Sequence, residues 1–396
     1  MNNVAVVGQG YVGMPIALAV AKSGMNVVAL DSNKKLVSEL RAGRCKLEGI
    51  NLNTLKKLLK RKLYFPTSDI KSLRTANIIL VCLPTPLDKN GKPDTSILEN
   101  FFKNSVDFIS NEALVIIEST VAPGYTRDLY KKLKSTSKSG KKIDFDIAFS
   151  PERIDPLNKN WNLKNTPKLV AGLTNDSRQR AVNFYSKFVK NVVPCSSIEI
   201  AETAKLLENS FRLINISFIN EISEFCTYMD IDVQEVISAA ATKPYGFMTF
   251  YPSLGVGGHC IPVDPVYLLE KAKSQGVNLK LIEVAKKIND INPLKIIKRL
   301  NKEVGSVKSK KILIIGIAYK PNISDTRESP AINLIKLLRK KGAKVSWHDE
   351  LVMNWNGEKS VPLSDKFDVA VLATLHDSVD LKTFSTVKII DSRGSI

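Results

Sequence analysis

A cysteine and a histidine stand side by side in the glycine-rich segment PSLGVGGHCIPVDP, residues 252–265. The chain holds only five cysteines and three histidines. Two glycines precede His259 and Cys260, and glycine lets a backbone take unusual angles and approach a ligand closely. A thiol in such a loop is a candidate nucleophile if a nearby base or a lowered pKa activates it. A structural turn with an inert thiol is the alternative, and the segment alone does not decide between them.

A second pattern, GQGYVG at residues 8–13, fits the dinucleotide-binding sequence GxGxxG. It follows an apolar stretch typical of a strand and opens a stretch typical of a helix. Asp31 ends the next apolar stretch, near the spacing at which a carboxylate meets the adenosine ribose. The helix N-terminus favours a pyrophosphate. Because a carboxylate repels a 2′-phosphate, the pattern predicts NAD rather than NADP as cofactor.

Polar side chains follow three further stretches that we predict as strands. They are Thr85, Thr120 and the pair Glu152 and Arg153. Folds of this kind bind their ligands at the carboxyl ends of strands. Thr120 is a candidate contact of the nicotinamide ribose or of a catalytic water, although each hydroxyl could satisfy a local turn instead. A carboxylate beside a base fits acid–base chemistry or a structural ion pair, and both interpretations stay open.

A long helix is predicted from residue 198 to about residue 229, where no glycine or proline interrupts the chain. Lys205, Asn209 and Arg212 share one face of it, at spacings of four and three residues. A polar stripe of this kind is usually solvated, so the spacing alone does not assign it to a site. Apolar residues recur on roughly the opposite side: Ala204, Leu207, Phe211, Ile214, Phe218, Ile222 and Phe225.

Strands alternate with helical stretches at both ends of the chain, which indicates parallel sheets with crossover helices. We predict strands in residues 4–8, 26–31, 76–86, 113–124 and 144–153, and in residues 310–320, 343–349, 367–376 and 388–394. The prediction is therefore an α/β fold with two Rossmann-like, doubly wound domains joined by a long central helix. The predicted domains are 1–197, 198–302 and 303–396.

The composition is that of a globular protein of more than one domain, with 396 residues and 44% hydrophobic content. No apolar run reaches the roughly 18 residues that span a membrane, and the N-terminus lacks a signal peptide, so we expect a cytoplasmic protein without membrane insertion. The scattered cysteines argue against a disulfide framework or a metal site. The net charge of +19 favours small anionic ligands. A nucleic-acid-binding module is the alternative, but no basic, aromatic-interleaved stretch supports it, and we predict no nucleic-acid partner.

Together the motifs resemble the nucleotide-sugar 6-dehydrogenase family, which includes UDP-glucose, GDP-mannose and UDP-N-acetylhexosamine dehydrogenases. The segments that carry the resemblance are VVGQGYVGMPIA, CLPTP, ESTVAPG, SPER, AETAKLLENSFR, GVGGHCIPVDP and KPNISDTRESP. They cover residues 4 to about 331, and IIDSRGS near the end also fits. The resemblance implies that two NAD molecules oxidise the 6-hydroxyl of a UDP-sugar substrate to a carboxylate. It also implies a C-terminal UDP-binding domain and a homodimer or larger homo-oligomer formed through a helical dimerisation domain.

The resemblance assigns roles by matching position. Cys260 resembles the nucleophile that forms a thiohemiacetal and then a thioester. Lys205 resembles a proton shuttle or oxyanion stabiliser, and Asn209 its oxyanion-binding companion. The residues that position water and the proton path are Glu152, Thr120 and Asp264. The implied cofactor contacts are Gly8, Gly10, Tyr11, Val12, Gly13, Asp31, Lys35, Thr85, Thr120 and Arg327. The implied substrate contacts are Arg153, Ile154, Lys205, Asn209, Arg212, Gly257 and Lys320.

Details of three segments, SPERIDPLN, TKPYGFMTFYP and GGHCIPVDP, are most similar to the UDP-N-acetylglucosamine branch. The UDP-glucose, UDP-N-acetylmannosamine and UDP-N-acetylgalactosamine branches are alternatives. A two-electron hydroxyacid dehydrogenase is a more distant one, since it needs no cysteine and usually lacks a second α/β domain. The chain departs from the family pattern after Val352, where it is short, and at Leu375, where an aspartate is usual before His376.

Overall fold

The computed structural model describes residues 3–135, 144–155, 158 and 160–393. The chain divides into two compact units, Met1–Leu207 and Glu208–Ile396. The finer division into three domains stays a prediction. None of the helices in the described residues is long and apolar enough to cross a membrane.

The first unit is built on one eight-stranded sheet in the order β3-β2-β1-β4-β5-β6-β7-β8. Its strands are β1 Asn3–Val7, β2 Asn26–Leu30, β3 Tyr64–Thr67, β4 Ile78–Val81, β5 Leu114–Ile117, β6 Asp146–Phe149, β7 Lys168–Gly172 and β8 Val192–Pro194. The central strands are buried along their length because apolar clusters cover both faces of the sheet.

Neighbouring strands in this sheet run parallel except at one pair, β6 with β7, which is antiparallel. The sequence predicts parallel strands, and this one pair departs from that prediction. β3, β7 and β8 are also absent from that prediction, because short strands with charged or proline residues resemble loops. β7 begins at a buried lysine, Lys168, where an apolar pattern would not place a strand.

In the described residues, six α-helices connect these strands. They are α1 Gly13–Lys22, α2 Lys34–Arg41, α3 Leu52–Lys60, α4 Ser96–Ser105, α5 Tyr125–Ser135 and α6 Asn175–Tyr185. Side chains of Asn33, Asn51 and Thr174 accept backbone N–H bonds at the starts of α2, α3 and α6. α1 follows the glycine turn directly and buries an apolar face against β1 and β2.

The predicted long helix is present as α7, Ile198–Met229. The division between the two units falls within it. Its buried side chains include Lys205 and Asn209. The apolar stripe is instead largely exposed, with 61% of Leu207, 55% of Phe218 and 57% of Phe225 accessible. Among the described residues, these three exposed side chains belong to no buried cluster, whereas Ile214 and Ile222 of the same stripe each border a small one.

The second unit contains a four-stranded parallel sheet in the order β10-β9-β13-β14, and a two-stranded hairpin. The sheet strands are β9 Lys311–Ile315, β10 Lys344–His348, β13 Val369–Leu372 and β14 Ile389–Asp391, and the hairpin is β11 Asn354–Trp355 with β12 Glu358–Lys359. The helices are α8 Val233–Ala241, α9 Asp264–Ser274, α10 Lys280–Val304 and α11 Pro330–Lys340. The fold class is confirmed: α/β, with a Rossmann-like sheet at each end and a long central helix.

Candidate active site

The glycine turn after β1 is shaped to bring backbone close to a ligand. The N–H of Gly8 donates to the carbonyl of Leu30 over 2.8 Å, which ties the turn to β2. A Cβ on Gly13 would lie 1.9 Å from the carbonyl oxygen of Gly8, so the first turn of α1 fits only glycine there. A Cβ on Gly10 would meet no described atom within 4 Å. The space in front of Gly10 suits a phosphate group at the start of α1.

Asp31 stands beside this turn. Its Oδ2 accepts the N–H of Gln9 over 2.8 Å, and its Oδ1 accepts the N–H of Asn33 over 2.9 Å. The carboxylate is partly exposed, and Lys35 is exposed in the first turn of α2. A partly exposed carboxylate at the end of β2 and an open glycine turn fit the ribose and pyrophosphate of a dinucleotide. The residues present therefore fit NAD.

Two predicted cofactor residues are joined directly. The hydroxyl of Thr85 donates to the carbonyl oxygen of Thr120 over 2.7 Å. Thr85 follows β4 and Thr120 follows β5, which are neighbouring parallel strands. Both side chains are partly exposed. The structure therefore brings them together at the carboxyl edge of the sheet, where the sequence predicts a ligand.

Tyr11 and Ile154, predicted contacts of cofactor and substrate, line one cavity of about 620 Å³ in the first unit. The hydroxyl of Tyr11 donates to Oε2 of Glu48 over 2.7 Å. Val12, the next residue of the glycine turn, is partly buried against the apolar cluster beneath α1. Arg153 is held by a bond from its Nη1 to the carbonyl of Pro167, 2.8 Å long.

Glu152 follows β6 and is oriented by its neighbours. Its Oε1 accepts the backbone N–H groups of Arg153, over 2.7 Å, and of Ile154. Its Oε2 is buried and, among the described residues, has no hydrogen-bond partner. Nζ of Lys168 lies 3.7 Å from that oxygen. One carboxylate oxygen is thus fixed, while the other is left with an open acceptor position next to a cation.

Lys168 belongs to a buried charged group that was absent from the sequence-based prediction. It is ion-paired with Glu118 and donates to the carbonyl of Pro151 over 3.1 Å, and Tyr185 donates to Glu118. Burial acts to lower the pKa of Lys168, but the carboxylates of Glu118 and Glu152 outweigh it and raise that pKa. The cation therefore persists in the interior. The charge of Glu118 directly after the apolar run LVII was the signal that could have revealed the group.

Cys260 is exposed and lies four residues before the start of α9. Its carbonyl oxygen accepts the N–H of Val263 over 3.2 Å and of Asp264 over 2.8 Å. The thiol-bearing residue is thus held at a helix N-terminus, where the dipole favours an anionic group. Burial and the charge of Arg327 lower the pKa of the neighbouring His259, so its ring is neutral at pH 7.

The backbone before Cys260 packs tightly against the segment after β9. A Cβ on Gly257 would lie 2.7 Å from the carbonyl oxygen of Glu328, and one on Gly258 would lie 2.7 Å from the ring of Tyr319. Gly258 also has a φ of +81° and donates its N–H to the carbonyl of Arg327 over 3.0 Å. Position 258 therefore requires glycine, because of its positive φ and because a side chain would collide with Tyr319.

The polar stripe of α7 is partly buried. Asn209 is 7% exposed and donates from Nδ2 to Oδ2 of Asp264 over 2.5 Å. Lys205 is 8% exposed, and its Nζ has no ion pair or hydrogen bond among the described residues. Arg212, two turns after Lys205, is exposed. Lys205 and Asn209 are therefore not solvated, although a polar stripe on a helix usually is.

A second glycine turn, at Gly316 after β9, resembles the turn at Gly8 after β1. Gly316 has a φ of +81° and donates its N–H to the carbonyl of His348 over 2.8 Å. Oδ2 of Asp349 accepts the N–H groups of Ile317, over 2.8 Å, and Ala318, over 3.1 Å. The counterpart of Asp31 is thus Asp349.

At this second turn, however, the side chain of His376 lies against Asp349, where a ribose would have to bind. Nε2 of His376 lies 3.1 Å from Oδ2 of Asp349, and neither side chain is accessible to solvent. No helix begins at the turn, since α11 starts only at Pro330. A ribose therefore has no access to Asp349. Lys320, the predicted substrate contact, is partly exposed after this turn, and Arg327 is paired with Asp325.

An open dinucleotide turn, a second Rossmann-like half that is closed to a dinucleotide, and an exposed thiol at a helix start define a nucleotide-sugar dehydrogenase. Sequence profiles of the UDP-glucose/GDP-mannose dehydrogenase family match the chain in three parts: the NAD binding domain at residues 2–189, the central domain at 199–291 and the UDP binding domain at 313–395. The chain belongs to this family and is an NAD-dependent oxidoreductase.

Relatives with two substrate names resemble the chain to similar degrees. A UDP-N-acetyl-D-mannosamine dehydrogenase from Methanocaldococcus jannaschii is 34% identical over 358 residues, covering 88% of this chain and 79% of the relative. A UDP-N-acetyl-D-glucosamine 6-dehydrogenase from Pseudomonas aeruginosa is 32% identical over 386 residues, covering 94% and 90%. The solved UDP-D-ManNAc dehydrogenase of Pyrococcus horikoshii superimposes with a TM-score of 0.90 at 31% identity, covering 99% and 95%.

Proposed function

We propose that the protein oxidises the 6-hydroxyl of UDP-N-acetylglucosamine to the uronic acid, with Cys260 as a covalent nucleophile. The observation that carries the proposal is the exposed thiol of Cys260, held at the start of α9 by its carbonyl bonds. The four-electron oxidation needs such a group, because an aldehyde must be retained and converted to an acyl derivative before water releases it. NAD, when bound, accepts the hydride in each oxidation.

The proposed reaction balances in four steps. The 6-hydroxyl loses its proton and a hydride, which gives an aldehyde. The thiol of Cys260 adds to the aldehyde carbon, its proton passes to the oxygen, and a thiohemiacetal forms. Loss of a second hydride and of the hydroxyl proton leaves a thioester. Water then adds to the carbonyl carbon, the carbon–sulfur bond breaks, and the carboxylate and the thiol are released.

The other groups have roles that suit their environment. Lys205 is nearly buried and has no carboxylate partner among the described residues. Its charge is therefore available to stabilise negative charge on the reacting oxygen, or to carry the proton of that oxygen. Asn209 is held by Asp264 and supplies an amide donor. Glu152 has one fixed oxygen and one open acceptor position, which suits it to hold the attacking water. Thr120, which follows the neighbouring strand β5, is the candidate hydroxyl on the proton path.

The choice of an acetamido sugar over UDP-glucose is supported by Arg212. The exposed guanidinium of Arg212 offers donors to the carbonyl of a 2-acetamido group, which a hydroxyl does not replace in geometry. UDP-N-acetylmannosamine, UDP-N-acetylgalactosamine and UDP-glucose are the competing substrates. The relatives carry names from both acetamido branches, so their names do not decide between the gluco and manno epimers.

Homodimerisation through the exposed face of α7 is part of the proposal. Leu207, Phe218 and Phe225 are each more than half exposed, and monomeric proteins rarely expose apolar patches of this length. Changing Phe218 and Phe225 to glutamate should convert a dimer to a monomer in light scattering at micromolar concentration. Val277→Glu, at another exposed apolar position, should leave the mass unchanged. A monomeric wild type would contradict the proposal.

The proposed location is the cytoplasm. None of the five cysteines, all of which lie in the described residues, forms a disulfide, which is the ordinary state of cysteines in a reducing compartment.

A panel of UDP-sugars and GDP-mannose with NAD tests the substrate directly. The absorbance of NADH should rise by two equivalents per molecule of UDP-N-acetylglucosamine consumed, with the acetamido sugars at least about tenfold better than UDP-glucose in kcat/KM. One equivalent per sugar would point to a two-electron dehydrogenase. A preference for UDP-N-acetylmannosamine would move the assignment to that branch, while leaving the chemistry intact.

A further inference from the structure

A cavity of about 230 Å³ lies in the second unit between α7 and α10, apart from all residues assigned to the site above. Its α10 wall carries Lys295, Lys298, Arg299 and Lys302, spaced at one turn of the helix. Glu224 is the single carboxylate of the lining, and it is paired with Lys295 over 2.5 Å. The cavity therefore has a net positive charge, which favours an anion.

Two donors face this cavity without adequate partners. Asn220 is 5% exposed, and its Nδ2 has no hydrogen-bond partner among the described residues. Such a buried, unpaired donor costs about 1–3 kcal/mol unless a ligand or water satisfies it. Within the described residues, Arg299 donates one hydrogen bond, to the carbonyl of Asp391 over 3.3 Å. Burial lowers the pKa of Arg299, and the charges of Asp391 and Glu303, which act to raise it, do not compensate. The guanidinium is therefore poorly solvated and weakly paired.

The same asparagine is attached to the backbone that leads to Cys260. Oδ1 of Asn220 accepts the N–H of Ser253 over 2.8 Å, and Nδ2 of Asn292 donates to the carbonyl of Ser253 over 2.8 Å. Farther along, Oδ1 of Asn289 accepts the N–H of Val256 over 2.8 Å. The cavity thus borders the anchor of the segment that ends at the thiol.

We propose that this cavity binds a diphosphate group, and that the bound anion restrains the Cys260 loop through Asn220 and Ser253. A diphosphate matches the net positive charge that remains in the cavity after Lys295 pairs with Glu224, and it matches the cavity in size. Its oxygens accept from Nδ2 of Asn220 and from the open donors of Arg299. The source is either inorganic pyrophosphate or the diphosphate of a nucleotide. Diphosphate binding to the cavity does not depend on the proposed function. The effect of the bound anion on the Cys260 loop rests on that function, because it concerns the proposed nucleophile.

The test measures pyrophosphate binding to the full chain by calorimetry. Asn220→Asp keeps the acceptor for Ser253 but replaces the donor with a negative charge, and Arg299→Met removes the guanidinium from the other helix. Each should weaken binding by at least about tenfold. Lys287→Met removes an exposed charge from the same helix outside the cavity and should leave the affinity unchanged. Equal affinity in Asn220→Asp, Arg299→Met and wild type would overturn the proposal.

A second measurement reads the loop without requiring dehydrogenase activity. Saturating pyrophosphate should slow alkylation of Cys260 by iodoacetamide at least twofold in wild type, but not in Asn220→Asp. Binding without any change in alkylation would refute the coupling to the loop. Repeating the titration with ADP separates the sources, because a nucleotide ligand should bind more tightly than pyrophosphate and lose affinity in the same two variants. ADP weaker than pyrophosphate assigns the cavity to the inorganic anion.

Discussion

Nδ2 of Asn209 donates to Oδ2 of Asp264 over 2.5 Å, and this bond joins the middle of α7 to the first residue of α9. Both side chains are buried, at 7% and 3% exposure. Because Asp264 also donates its N–H to the carbonyl of Cys260, the bond fixes the position of the thiol relative to α7. Both residues are needed, because Asp264 holds the backbone of Cys260 and Asn209 connects Asp264 to α7.

Breaking this bond should reduce turnover more than stability. Asp264→Asn places an amide opposite the amide of Asn209 and should lower kcat by at least about a hundredfold, with a smaller change in thermal midpoint. Steady-state kinetics and thermal unfolding measure the two effects. Glu270→Gln, on the same helix, provides the matched control and should retain wild-type kcat. Full activity in Asp264→Asn would show that the bond does not position the thiol.

Removal of the thiol should stop the overall reaction. Cys260→Ala should lower turnover by about a thousandfold or more, since no thioester can form. Cys195→Ala, at a partly buried cysteine, should remain active. Mass spectrometry of a stalled wild-type reaction should find the sugar on the peptide that holds Cys260. Near-normal turnover of the Ala variant would refute covalent catalysis.

Selectivity for the acetamido group should depend on Arg212. Arg212→Leu should reduce the ratio of kcat/KM values for UDP-N-acetylglucosamine and UDP-glucose toward one, because the lost donors matter only for the acetamido carbonyl. The KM for NAD should change little. An equal loss with every UDP-sugar would place Arg212 at the diphosphate instead.

The buried ion pair should be sensitive to loss of one partner. Lys168→Met leaves Glu118 in the interior without its cation and should lower the free energy of unfolding by about 3–5 kcal/mol. Adding Glu118→Gln should recover part of that loss, because the fully buried carboxylate that faced the missing cation is then replaced by a neutral amide. Lys164→Met, at an exposed lysine nearby, is the control. Urea unfolding compares the four proteins, and a double variant less stable than Lys168→Met would contradict a dominant charge effect.

Glu202 should make stability depend on pH. Burial raises its pKa to about 7, although the N–H groups of Gly124 and Thr126 that bond it favour the charged form. The folded protein then holds a proton that the unfolded chain releases from about pH 4.5 upward. Its contribution to stability is full below that pH and is lost as the pH rises through 7.

Glu202→Gln cannot ionise, so this part of the pH dependence should disappear. The stability difference between pH 5 and pH 7.5 should shrink by up to about 2 kcal/mol relative to wild type. Urea unfolding at the two pH values measures it. Parallel pH profiles for the two proteins would show that Glu202 is ionised throughout.

Local patterns predicted the dinucleotide turn, because Gly8, Gly13 and Asp31 act within about 25 residues of chain. The group around Lys168 could not be predicted in this way. Its partners Glu118 and Tyr185 meet through strand pairing and helix packing, and Glu118 lies 50 residues from Lys168. β7 itself begins at that lysine, so the strand has no apolar signal at its start.

The exposure of the α7 apolar stripe could not be predicted either. Periodicity identifies a helix and its faces, but not which face a single chain covers. Here the polar face with Lys205 and Asn209 is buried while Phe218 is exposed. The closure of the second glycine turn depends on His376, which is distant in sequence from Asp349 and reaches it only through the sheet order β10-β9-β13.

The pairing of Asp349 with His376 imposes an order of events on the proposed reaction. With the second glycine turn closed, the turn at Gly8–Gly13 is the one glycine turn in the described part of the chain that is open to a dinucleotide, so both hydrides leave through one binding position in succession. Reduced cofactor must dissociate and fresh NAD must enter while the half-oxidised sugar is still attached to Cys260. Turnover then cannot exceed half the rate of NADH release. A high ratio of NADH to NAD would stop the proposed reaction after the first oxidation, while the sugar is still attached to Cys260. The turnover rate would then depend on the ratio of NADH to NAD around the protein.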